Sequence, residues 1–144
     1  MQANRITAVR YHDISCGHRV VGHEGKCRNL HGHNYRITFT VSPKDSAELD
    51  TVGRVLDFSV IKSQLCEWLE ENWDHRMLIS KDDWHKDALL EIDSTVVIVP
   101  FNPTAENIGK HLLEVIGPWL LKDTRAELVK VEVEETRKCS AVIE

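Results

Sequence analysis

The sequence is short of aromatic residues and of chain breakers. Only 6% of its 144 residues are Phe, Trp or Tyr, and it holds 7 glycines and 4 prolines. No Pro/Gly/Ser-rich linker, internal repeat or low-complexity stretch divides it, so residues 1–144 are expected to form a single domain. No window approaches the ~18 apolar residues of a membrane span. The first residues, MQANRITAVRYHDIS, lack the apolar core of a signal peptide, which points to the cytoplasm. The four cysteines, Cys16, Cys27, Cys66 and Cys139, contain no CxxC pair. A zinc finger or a thioredoxin-like motif therefore has little support, and free thiols are expected rather than a disulfide framework. Positive charge is in deficit, with 18 Lys and Arg against 23 Asp and Glu and a net charge of −5. That balance argues against coating nucleic acid, although a local basic patch stays open.

What is present fits a soluble globular chain: 42% hydrophobic and 28% charged residues. A chain of this length buries roughly 68–70% of its unfolded surface. The unusual component is histidine. There are 8, and five of them (His12, His18, His23, His31, His33) fall within 22 residues.

Residues 5–12 read as a strand. Residues 34–42 read more clearly so, because Tyr35, Ile37, Phe39 and Val41 alternate with polar residues. Ser42-Pro43-Lys44-Asp45-Ser46 predicts a turn, and Val55-Leu56 a short extended piece. Asp57 or Ser59 caps a helix carrying Phe58, Ile61, Leu65 and Leu69, which ends near Asn72. Residues 80–94 read as a polar surface excursion with one helical turn at Ala88–Glu91, and Thr95–Val99 as a short strand. Thr104 is the expected N-cap of a second helix with Ile108, Leu112, Val115 and Ile116 as its stripe, ended or kinked by Gly117-Pro118. Strands over 126–136 and 139–143 close the chain, with Val129, Val131 and Val133 expected on one face. Strands at both ends and helices between them predict an α+β fold, an antiparallel sheet with helices on one face.

His31-Gly32-His33 places two imidazoles on one face of an extended segment, the face that continues into Tyr35 and Ile37. Imidazole is the commonest metal ligand, and a catalytic zinc site takes three protein ligands and keeps one position open. Two ordinary histidines near a turn would look the same. His18 shifts the balance, because pairing of the first two strands brings it beside His31 or His33. His12 and His23 are selected by no spacing and read as surface or loop residues. Cys27, flanked by Lys26 and Arg28, is either a fourth ligand or a free thiolate acting as base or nucleophile. Asp74-His75 offers a carboxylate next to an imidazole, the components of a proton relay or simply a helix-end pair. Glu135 continues the Val131 and Val133 face, so it is a carboxylate aimed at the core side unless a bulge turns it outward. Glu106 suits the first turn of the second helix as a favourable acid. Arg19, Lys26 and Arg28 are candidate phosphate contacts or solvated charges.

Six stretches, in order, resemble the 6-pyruvoyl-tetrahydropterin synthase family, which includes the 6-carboxy-5,6,7,8-tetrahydropterin synthases of the queuosine pathway. They are Cys16-Gly17-His18-Arg19, Cys27 through His33, Leu56-Asp57-Phe58, Trp73 through Leu78, Asn102 through Asn107, and Val131 through Thr136. The resemblance implies the tunnelling fold, a four-stranded antiparallel sheet with two helices on one face. It implies zinc held by His18, His31 and His33, with Cys27 as the catalytic thiol and Asp74 and His75 as the relay. It also implies that Glu135 anchors a pterin ring in a pocket lined by Thr104 and Glu106. The Cys-x3-HGH spacing resembles the 6-carboxytetrahydropterin synthase type, since the pyruvoyl synthases space it as Cys-x5. The implied reaction turns 7,8-dihydroneopterin triphosphate into 6-carboxytetrahydropterin, acetaldehyde and triphosphate. The alternatives are pyruvoyl synthase activity, side-chain cleavage of sepiapterin-like pterins, or a non-catalytic zinc-stabilised pterin-binding module. Homo-oligomers, hexamers above all, with sites at subunit interfaces are implied as well, and neither nucleic acid nor membrane is expected as a partner. Cys16 and Trp73 depart from the family pattern, where a small residue and a leucine are usual, and residues 80–99 are longer than in the shortest relatives.

Overall fold

The computed structural model describes residues 4–44 and 48–144. Asp45 and Ser46 of the expected turn lie outside the described residues. β1 (Ala8–His18) and β2 (His31–Pro43) pair antiparallel from Ala8↔Val41 to His18↔His31. The first strand thus runs six residues beyond the expected end at His12, because Ile14, Cys16 and His18 keep the alternation and all are buried. α1 covers Phe58–Ile61, a π turn at Lys62–Cys66 and Glu67–Asn72; the Asp57 side chain caps it by accepting the Ser59 N–H. After it come β3 (Arg76–Ser80), α2 (Lys86–Ile92) and β4 (Val97–Val99). α3 covers Ala105–His111, a π turn at Leu112–Ile116 and Gly117–Leu120. β5 (Ala126–Thr136) and β6 (Cys139–Ile143) end the fold.

The strand order is β4-β3-β1-β2-β5-β6. The sheet therefore has six strands and is mixed, which corrects the expected four antiparallel ones. β1, β2, β5 and β6 are antiparallel, while β3 pairs parallel with β1 and β4 parallel with β3. β3 escaped the sequence reading because Leu78 and Ile79 are both buried, so it shows no alternation. α2 is the crossover that parallel pairing of β3 and β4 requires.

The core lies on one face of the sheet. Ile14, Tyr35, Ile37, Phe39, Val131 and Val133 meet Ile61, Leu65 and Leu69 of α1 and Ile108 and Leu112 of α3. Each such side chain contributes roughly 1.5–3 kcal/mol by leaving water. A β-bulge corrects the expected face of β5. Thr40 pairs with Lys130 and Val41 with Leu128, so Val129 is skipped. Val129 turns to the open face, while Ala126 and Leu128 turn inward. Beyond the bulge the alternation Val131, Val133, Glu135 stays on the core side. Gly117-Pro118 does not end α3. The π turn sends the Gly117 N–H five residues back to the Leu112 carbonyl, and the opened turn accommodates Pro118 at the start of the last segment. The opposite face leaves Val9, Tyr11 and Val142 exposed.

Candidate active site

His18 and His31 are direct cross-strand partners, and His33 follows two residues along the same face. Their ligating atoms all lie within 4.8 Å of one another, the one such histidine, cysteine or carboxylate cluster among the described residues. Second partners fix the ring orientations. His18 Nδ1 lies 2.6 Å from the Pro103 carbonyl and His31 Nδ1 2.7 Å from the Asn29 carbonyl. A carbonyl only accepts, so both Nδ1 atoms carry the proton and both Nε2 atoms present lone pairs. Those two Nε2 atoms are 3.0 Å apart. The separation is close to the ~3.3 Å of two ligands bound at ~2.0–2.1 Å in a tetrahedron. His33 Nε2 is buried without any hydrogen-bond partner. Burial pushes the pKa of His18 and His33 below the ordinary histidine value, and the neighbouring imidazoles add to it against the opposing pull of Glu135. Three imidazoles with converging ring nitrogens, one of them orphaned, fit a divalent cation.

Glu135 stands at the edge of this cluster. Its Oε1 is 3.5 Å from His18 Nε2 and 3.7 Å from His33 Nε2. It also lines a cleft of about 200 Å³ with Glu106 and Cys139, so two of the expected substrate-binding residues share one opening. Thr104 caps α3 by accepting the Asn107 N–H at 3.1 Å. Cys27 lies on a short turn, Lys26–Arg28, and is half-buried. It is not among the groups that converge with the three histidines.

Asp74 and His75 do face each other, with Asp74 Oδ2 2.8 Å from His75 Nδ1. His75 reaches this pose with a positive φ of 61°, a left-handed backbone uncommon outside glycine. Asp74 Oδ1 accepts the Ser15 N–H at 2.8 Å. Burial raises the Asp74 carboxyl, but the Ser15 N–H and the His75 ring outweigh it and hold its pKa below the usual value. Neither member of the dyad is among the groups whose ligating atoms converge with the three histidines. His75 lines a cleft of about 460 Å³ together with Ser15, Cys16, His31, His33 and Asn34. Residues of both sheet faces border it, because Ser15 and Asn34 alternate with Cys16 and His33.

A family profile described as 6-pyruvoyl tetrahydropterin synthase matches residues 7–144. The chain belongs to this family. Curated relatives named 6-carboxy-5,6,7,8-tetrahydropterin synthase share 36% identity over 138 residues in Rickettsia bellii and 34% over 136 in Rickettsia typhi, covering 93% of this chain and 96% of each relative. An uncharacterised protein from Wolinella succinogenes superposes with a TM-score of 0.84 at 24% identity, over 98% of both chains. The 6-pyruvoyl tetrahydropterin synthase of Caenorhabditis elegans does so at 0.68 and 23%, over 100% of this chain and 98% of that one.

Cys16 and Trp73 lie together. Cys16 is buried and its thiol donates to the Trp73 carbonyl at 3.0 Å. Burial, with the Asp74 charge, pushes the Cys16 thiol up to about 12, so it stays protonated beside the histidine cluster. His12 pairs with Glu70 at 2.6 Å and His23 accepts the Gly25 N–H at 2.8 Å, so both have local partners. Arg19 is not a free phosphate contact. It makes a two-pronged pair with buried Asp83, at 2.6 Å for each bond. Sequence reasoning missed Asp83 and the role of Tyr35. Tyr35 is buried, with its hydroxyl 3.3 Å from Glu135 Oε1. The available signal was a phenol on the core face two residues after His33, since a buried hydroxyl needs a partner.

Proposed function

We propose that this protein is a zinc-dependent lyase that converts 7,8-dihydroneopterin triphosphate to 6-carboxy-5,6,7,8-tetrahydropterin with release of acetaldehyde and triphosphate. The convergence of three imidazole ring nitrogens carries the reading. The Rickettsia relatives and the Cys27-x3-HGH spacing support this reaction over the pyruvoyl-forming one.

Zinc held by His18, His31 and His33 supplies Lewis acidity toward oxygens of the substrate side chain. Cys27 takes and returns protons at the side-chain carbons. His75, oriented through Nδ1 by Asp74, is the complementary acid and base at its Nε2. Glu135 accepts the N–H groups of the pterin ring, which holds the side chain at the metal. Glu106 and Thr104 flank that ring. The working site lies at an interface between copies of the chain, where a neighbouring copy can supply Asp74 and His75. The exposed Val9, Tyr11 and Val142 on the uncovered face support assembly of several copies.

The test is incubation of the zinc-loaded protein with dihydroneopterin triphosphate and identification of the products. Acetaldehyde and the 6-carboxy product are expected. A pyruvoyl product without acetaldehyde would replace this reading with the pyruvoyl synthase one. Bound pterin with no turnover would leave a binding module.

A further inference from the structure

The Tyr35 hydroxyl lies between two parts of the site that have different tasks. It is 3.3 Å from Glu135 Oε1 and 3.3 Å from both ring nitrogens of His18. Its ring packs edge-on against His18 and His33, with centroids 5.9 and 5.5 Å apart. A phenol has one proton to give. His18 Nδ1 already donates to Pro103, and His18 Nε2 belongs to the converging cluster. The carboxylate is the remaining charged acceptor, so the O–H points at Glu135 Oε1.

That hydrogen bond matters because Glu135 has two possible partners. Its Oε1 stands 3.5 and 3.7 Å from two imidazole nitrogens, close to the ~3.3 Å that separates neighbouring ligands of one tetrahedral ion. A small swing would make the carboxylate a fourth ligand and close the open position. The other side of Glu135 faces the cleft it shares with Glu106 and Cys139. We propose that Tyr35 is a positioning residue whose hydroxyl holds Glu135 back from the metal and toward the pterin cleft, keeping the site open. This rests on the function proposed above, and it adds a residue that neither touches the substrate nor binds the ion.

Tyr35→Phe removes the hydroxyl and keeps the ring. Two equilibrium measurements separate its effects from turnover. Binding of 7,8-dihydroneopterin to metal-free protein, followed by calorimetry, should weaken about tenfold, the low end for a lost hydrogen bond to a charged group. Zinc affinity, measured by competition with a chromophoric chelator, should rise, because Glu135 joins the three histidines. Adding Glu135→Gln to Tyr35→Phe should remove that rise, whereas a packing defect would lower zinc affinity in both variants. Thermal melts of each variant establish that the fold is retained. Pterin binding equal to wild type, or zinc affinity unchanged or reduced in Tyr35→Phe, overturns the inference. Failure of the wild-type protein to bind the pterin at all would instead overturn the proposed function.

Discussion

Asp83→Ala probes how the segment after β3 is fastened beside the metal-binding end of β1. The Asp83 side chain is wholly buried, and its two oxygens accept from Arg19 at 2.6 Å each. Oδ1 also accepts the His85 N–H at 2.9 Å. The partner, Arg19, directly follows His18, so this pair ties the loop to the strand end that carries a metal ligand. Removing the carboxylate leaves Arg19 with only the His85 ring and leaves the His85 N–H unpaired. Loss of one member of a buried pair costs about 3–5 kcal/mol. The Arg19 side chain keeps 20% of its exposure, so water takes part of the load. The expected loss is about 2–4 kcal/mol. At about 2–4 °C per kcal/mol for a chain of this size, the melting temperature should fall by roughly 5–15 °C. Urea unfolding followed by circular dichroism measures it. The double variant Arg19→Met with Asp83→Leu should recover much of the loss, because no charge is then stranded. A single-variant loss below about 0.5 kcal/mol, or a double variant no better than the single one, would refute the reasoning. The acid limb follows the same logic. Burial raises the Asp83 carboxyl, but Arg19 and the His85 N–H hold its pKa below the usual value. Its contribution is complete above the unfolded value of about 4 and fades as pH falls through the lower folded value.

Cys27→Ala should abolish turnover while metal analysis still finds one zinc per chain; release of the metal would make Cys27 a ligand. Zinc added at about 1,000 times its Kd should stabilise the folded chain by about 4 kcal/mol, read as a melting rise of roughly 8–16 °C, while chelator-treated protein stays folded. Unfolding on chelation would mark the site as structural. For the metal-free protein, the lowered pKa values of His18 and His33 mean that the unfolded chain binds protons first. Stability should therefore decline as pH drops below about 6.5, and a denaturant midpoint flat between pH 7 and 5 would contradict it.

Several elements could be read directly from local pattern. β2 announces itself through Tyr35, Ile37, Phe39 and Val41, all buried. The Asp57 and Thr104 caps are formed as expected, each side chain accepting an N–H of the first turn. Pairing of β1 with β2 sets His18 opposite His31, one of the two alternatives the spacing allowed. β3 was not legible, because a strand buried on both faces has no period to detect. Val129 was misplaced because a bulge depends on the partner strand and leaves no mark in its own sequence. Arg19 could not be told from a free cation, since Asp83 lies 64 positions away.

The sequence by itself determined the residue types of the site and the spacing that puts two imidazoles on one strand face. Both follow from side-chain chemistry and the two-residue repeat of an extended chain. Only the tertiary structure decided which nitrogens face inward, because the carbonyls of Asn29 and Pro103 select the tautomers. It alone brought His75 to the cleft that His31 and His33 line and set Tyr35 between Glu135 and the histidines. Those relations depend on how strands distant in sequence come side by side, which no local pattern encodes.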